Sequence, residues 1–95
     1  MDVHKLISYS EGGILSKVIQ NGKVNVTLFC MAAGTDISEH IATKEGFVYV
    51  IEGKGVFTLG GEEIAMLPGV MIPIPHGAKH ALRAEKNTAF LLALS

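Results

Sequence analysis

Short apolar stretches alternate with turn residues along the whole chain. The turn signals stand at Gly12-Gly13, Asn21-Gly22, Gly34-Thr35-Asp36, Gly53-Lys54-Gly55, Gly60-Gly61, Pro68-Gly69, Pro75-His76-Gly77 and Glu85-Lys86-Asn87. Between them lie brief segments rich in Val, Ile, Phe and Leu, the pattern of an all-β sandwich or barrel, and no helix of useful length can be placed. Asn21-Gly22 separates segments 14–20 and 23–31. Asn-Gly suits the two positive-φ positions of a tight type I′ turn, so these segments are expected to pair antiparallel. In the second of them Val24, Val26, Leu28 and Cys30 share one face, and Asn25, Thr27, Phe29 and Met31 the other. Gly60-Gly61 predicts a second hairpin, joining 56–59 to 62–66.

Segments 47–51 and 89–94 are apolar on both faces rather than alternating. Both read as strands covered on two sides. In a barrel the inner face fills the core, so the outer face needs another strand layer or another subunit. A homodimer is expected, because a bare apolar face of that extent invites aggregation.

Composition narrows the picture. The chain has 95 residues, enough for one barrel and too few for two independent cores, so residues 1–95 form one domain. Apolar residues make up 48% and charged residues 18%, a surplus of hydrophobicity that belongs at an interface or around a pocket. The net charge is −1 and the eight basic residues are scattered, which argues against nucleic acid or an anionic membrane as partner. Cys30 is the one cysteine, so neither an intrachain disulfide nor a Cys-based zinc motif can be built. The first residues, Met1-Asp2-Val3-His4-Lys5, lack the pattern of a secretory signal, and no apolar run is long enough to span a membrane. A cytoplasmic location is the simplest expectation.

The chemistry-bearing residues lie between positions 34 and 84. Gly34, His40 and Gly53 frame one stretch; Gly69, Pro75, Gly77 and His80 frame another. The second resembles the second cupin motif, a Gly, five residues, Pro-x-Gly, two residues and His. The first resembles the first cupin motif at the family spacing. The chain is thus similar to small single-domain cupins of the type-2 conserved barrel family, and the resemblance implies a double-stranded β-helix, or jelly-roll barrel.

Metal-binding cupins carry two His and a Glu in the first motif and a third His in the second. Laid on this sequence, the first His is His40, the second falls on Ala42, the Glu on Gly46, and the third His is His80; the Asn that often ends the second motif falls on Ala84. Zinc sites need three or four protein ligands, and non-haem iron uses two His and a carboxylate. Two imidazoles alone hold Zn, Fe, Mn or Ni weakly, and His76 is the candidate third ligand if its loop folds inward. Glu39 and Glu45 are expected to point away, since neighbours on a strand alternate faces, unless a bulge near Gly46 reverses Glu45.

The expected pocket is lined by His40, Ala42, Gly46, Val48, Val50 and His80, and the loss of two ligand side chains should leave it wide and apolar. Cys30 reads as a small core hydrophobe, Met31, Met66 and Met71 as barrel filling, and Tyr49 as packing outside the pocket. Arg83 and Lys79 are candidates for an acidic ligand at the barrel mouth. Three readings stay open: a pocket for a small ligand with no metal or a weakly held one; a metal-dependent dioxygenase or isomerase; and a structural or regulatory homodimer. In an enzymatic reading His40 and His80 are the residues to carry proton transfer.

Overall fold

The computed structural model describes residues 1–95 as nine strands and one turn of 3₁₀ helix, Val3–Leu6. The strands are β1 (Ile14–Asn21), β2 (Asn25–Met31), β3 (Asp36–Ile41), β4 (Gly46–Glu52), β5 (Gly55–Leu59), β6 (Glu62–Met66), β7 (Met71–Ile74), β8 (Lys79–Ala84) and β9 (Thr88–Leu94). They form two antiparallel sheets, β1-β2-β9-β4-β7 and β3-β8-β5-β6. The chain passes back and forth between the sheets, which makes the all-β jelly-roll barrel expected from the sequence. No helix is long and apolar enough to cross a membrane.

The two hairpins differ. Gly60 and Gly61 both adopt positive φ, +57° and +85°, and Leu59 pairs with Glu62 across them, as a type I′ turn requires. Asn21-Gly22 behaves otherwise. β1 and β2 do pair antiparallel, but Asn21 pairs with Asn25 and the connection is the three residues between them. Gly22 is not among the residues with positive φ. The Asn25 side chain accepts the Gly22 N–H at 3.2 Å, and Gln20 Nε2 donates to the Val24 carbonyl at 3.2 Å. These side-chain bonds hold a wider loop, and a bulge between Val18 and Gln20 absorbs the change of register.

Between the sheets lies a core built from Met31, Val48, Val50, Phe57, Met66, Ile72, Leu82, Phe90 and their neighbours. Alternation sends the other side chains of the same strands outward: Leu28 and Cys30 on β2 and Ala89 on β9 form a second buried cluster. What covers that cluster is the chain's own N-terminal segment, through Leu6, Ile7 and Tyr9. The Tyr9 hydroxyl donates to Glu52 Oε2 at 2.8 Å and ties the segment to the end of β4. Part of the outer face therefore has an intrachain cover. Phe47 and Tyr49 on β4 and Met71 on β7 remain 38%, 38% and 56% exposed.

The motif glycines are turn makers. Gly34, Gly53, Gly69 and Gly77 all take positive φ. Gly53 has a second reason to lack a side chain, because a Cβ there would collide with the Asn87 carbonyl oxygen and with Thr88. The Thr88 hydroxyl bonds to the backbone of Lys54 and Lys86, locking that turn against the start of β9.

Candidate functional site

His40 and His80 sit opposite each other on the adjacent strands β3 and β8. Strict alternation would not place them so. Asp36 pairs with Arg83 and Ile37 with Leu82, after which the register slips so that His40 pairs with His80 and Ile41 with Lys79. Ser38 and Glu39 together thus span the single Ala81, the arrangement of a β-bulge. Ile37 lines the barrel interior, and without the extra residue Glu39 would share its face while His40 pointed away. The bulge returns His40 to the interior beside His80, and Glu39 is exposed.

The two rings lie with centroids 3.9 Å apart and planes at 60°. His80 also stacks on Phe57, centroids 5.7 Å apart and planes within 3°. Each imidazole is held by the same local device. His40 Nδ1 lies 3.0 Å from the Ser38 carbonyl oxygen and His80 Nδ1 lies 3.3 Å from that of Ala78. A carbonyl oxygen only accepts, so each Nδ1 carries the proton and, in the neutral ring, each Nε2 presents a lone pair. His80 is 8% exposed, whereas His40 stands at the opening. Burial pushes the His80 pKa below its ordinary value, opposed by the Ala78 carbonyl and aided by repulsion from His40.

Behind the pair is a cavity of about 150 Å³. Its other lining is wholly hydrophobic, chiefly Phe29, Val48, Phe57, Leu82, Phe90 and Leu92. Phe29 and Phe90 stack with centroids 5.2 Å apart. A second hollow of about 130 Å³ shares His40, Ile74, His80 and Leu92 with the first and opens past Ala42, Thr43 and Lys44. The histidines therefore stand where an apolar chamber meets its mouth.

The residues singled out from the sequence take different places. His40, His80 and Val48 line the chamber, and Ala42 lines the mouth. Val50 is fully buried in the core cluster. Gly46 lies on the seam with β9, where an added Cβ would collide with the Ala93 carbonyl oxygen, so backbone fills the space next to it. Tyr49 faces out, and Cys30 lies in the outer cluster. Arg83 is directed to Glu85, 4.0 Å away, and Lys79 is exposed; the basic residue at the mouth is Lys44, which sequence reasoning passed over. The aromatic wall was also missed, although Phe29, Phe57 and Phe90 each occupy inward positions that alternation along their strands marks out.

The residues present do not fit a zinc or non-haem iron centre. No group of three His, Cys, Asp or Glu side chains comes together. His76, the candidate third ligand, is exposed in the turn between β7 and β8, and Glu45 is exposed before β4. The donor set is two imidazoles, short of the three or four protein ligands such metals need.

The chain superposes on a conserved protein of unknown function from Streptococcus pyogenes with a TM-score of 0.89 and 24% identity, covering 99% of this chain and 83% of that one. A cupin superfamily protein from Desulfitobacterium hafniense gives a TM-score of 0.91 and 22% identity over 99% and 87% of the two chains. Salicylate 1,2-dioxygenase from Pseudaminobacter salicylatoxidans gives 0.81 and 19%, with 86% of this chain matching 26% of that enzyme. At these identities the likeness is one of fold. No protein of curated function matches the sequence. The cupin domain model matches residues 27–94, from β2 through β9, and the chain belongs to the cupin domain family.

Proposed function

We propose that this cupin binds a small, mostly apolar molecule in its barrel, against His40 and His80 and without a catalytic metal. The observation that carries this reading is the concentration of all polar lining on two imidazoles in an otherwise hydrophobic chamber. Small-molecule sites have this character, an apolar wall with a few placed polar groups that fix orientation. The chamber, at about 150 Å³, suits a body of about one aromatic ring, the size accommodated by apolar cavities of similar volume. A metal-dependent dioxygenase or isomerase draws no support from the donor set, since two imidazoles with no third ligand and no carboxylate to orient them leave such chemistry without its centre.

Methyl-resolved NMR during titration with toluene tests the reading. Shifts confined to Ile37, Val48, Ile74, Leu82 and Leu92 are expected. No saturable shift, or shifts confined to the outer face, would refute it.

The bare strip of Phe47, Tyr49 and Met71 supports a second element of the reading, association of two copies through β4 and β7. Light scattering at micromolar concentration should then give twice the chain mass of 10.1 kDa, and Tyr49→Glu should restore the single mass. A wild-type mass equal to one chain refutes this element alone.

A further inference from the structure

We infer that the ligand presents a neutral hydroxyl to the histidine pair, and that the chamber discriminates against a carboxylate in the same place. The inference rests on the proposed pocket and adds the chemical class of its occupant. Its basis is the hydrogen-bonding state of the two rings. Both Nδ1–H groups are already given to carbonyl oxygens, of Ser38 and Ala78, each two residues back along the chain. Each neutral ring is left with Nε2 as an acceptor and has no N–H to offer a ligand.

Nε2 of His80 has no protein partner, and no buried side-chain nitrogen or oxygen in the molecule is unpaired. It therefore opens on to accessible space. No other polar side chain lines the chamber, and the nearest lining cation is Lys44, at the mouth.

Hydrogen-bond complementarity then selects the ligand. A hydroxyl donates a proton to Nε2 while its ring takes up the apolar wall. A carboxylate only accepts, so against two acceptors it finds no donor and surrenders its hydration without replacement. A purely apolar ring of the same size satisfies the wall but leaves the imidazole acceptor unmatched. The order of affinity is hydroxyl-bearing ring, bare ring, carboxylate-bearing ring. A site built to hydrogen-bond a ligand group rejects analogues that lack it, because its own polar atoms are left unpaired.

Phenol, toluene and benzoate are suitable probes, each titrated into the whole protein at pH 8, where ordinary imidazoles and phenol are both neutral. The Kd for phenol is expected to be about tenfold below that for toluene and about a hundredfold below that for benzoate, on the scale of one matched against one mismatched hydrogen bond. In His80→Leu the preference for phenol over toluene should vanish while toluene still binds, and that retained binding reports an intact barrel. If His80→Leu fails to fold, His80→Phe, which keeps a flat ring against Phe57 and lacks the acceptor, takes its place, and the same loss of the preference for phenol is expected. Equal affinity for phenol and toluene, or benzoate binding as tightly as phenol, overturns the hydroxyl inference and leaves the pocket reading standing. Failure of all three probes to bind removes the pocket reading itself.

Discussion

The two apolar regions of this barrel are made from opposite sides of the same strands and end differently. β2 sends Phe29 and Met31 inward and Leu28 and Cys30 outward; β9 sends Phe90 and Leu92 inward and Ala89 and Leu91 outward. The outer region is covered by the chain itself, with Leu6, Ile7 and Tyr9 laid over it and one hydrogen bond, Tyr9 to Glu52, at its rim; the hollow of about 200 Å³ left beside Leu6, Leu28 and Cys30 opens past the exposed Ser8, Ser16 and Lys17. Its inner counterpart is left partly hollow, with one pair of imidazoles at its mouth. Packing to interior density is the default for a buried apolar surface. A hollow whose only polar lining is a pair of imidazoles sets the inner region apart, and the proposed ligand site rests on it.

Core truncations give the largest test of this contrast. Leu28→Ala removes a fully buried side chain from the outer cluster and should cost about 3–5 kcal/mol in urea denaturation, because nearly all of that side chain is in contact with protein. Ile37→Ala, in the chamber wall, removes a half-buried side chain beside space that already exists, and about 1–2 kcal/mol is expected. Equal costs would mean that the wall is packed as tightly as the outer cluster, and the contrast would fail.

Next in size is Gly46→Ala. The new methyl group meets the Ala93 carbonyl of a paired strand, so β4 and β9 must part, at about 2–3 kcal/mol. A neutral result in thermal denaturation would show that the seam has room and that the chamber extends to it.

The polar pair of each region predicts opposite limbs of the pH–stability curve. His80 has a pKa lowered in the folded state, chiefly by burial. The unfolded chain therefore binds the proton more readily; the contribution is present above the ordinary imidazole value, near 6.5, and is lost as pH falls through the folded value. His80→Leu should flatten this acid limb. Tyr9 has a raised pKa, from burial first and then from the bond to Glu52 and that carboxylate's charge. Its contribution is full below the unfolded value of 10.0 and declines as pH rises from there toward the folded one.

The smallest effect belongs to that same tyrosine at neutral pH. Tyr9→Phe keeps the ring over the outer cluster and removes one solvent-accessible hydrogen bond, about 0.5–1 kcal/mol. It should also flatten the alkaline limb. A loss of several kcal/mol instead would make the rim bond, rather than apolar cover, the main hold on the N-terminal segment.

Much of the fold was legible because its signals are local. Apolar runs between turn signals marked six of the nine strands, Gly60-Gly61 dictated its turn through φ alone, and the spacing of Gly34, His40, Gly53, Gly69, Pro75, Gly77 and His80 carried the cupin resemblance. Asn21-Gly22 gave the pairing but misled on the turn, because side chains beyond the dipeptide, Asn25 and Gln20, bind the loop in another form.

By itself, then, the amino-acid sequence determined an all-β chain, the positions of six of its nine strands, and the two histidines at which its motifs resemble those of cupins; β3, β7 and β8 were left within the motif stretches. Tertiary structure decided what those residues face. The slip at Ser38-Glu39 exists only against β8, yet it is what turns His40 inward. Doubly apolar strands demand a cover but do not name it, and folding supplied the N-terminal segment for one part and none for Phe47, Tyr49 and Met71. Gly46 reads as lost bulk until the neighbouring strand is in place, when its vacancy is filled by the backbone of β9. Turn and strand preferences act over a few residues, whereas register, coverage and cavity depend on partners tens of residues away in the chain.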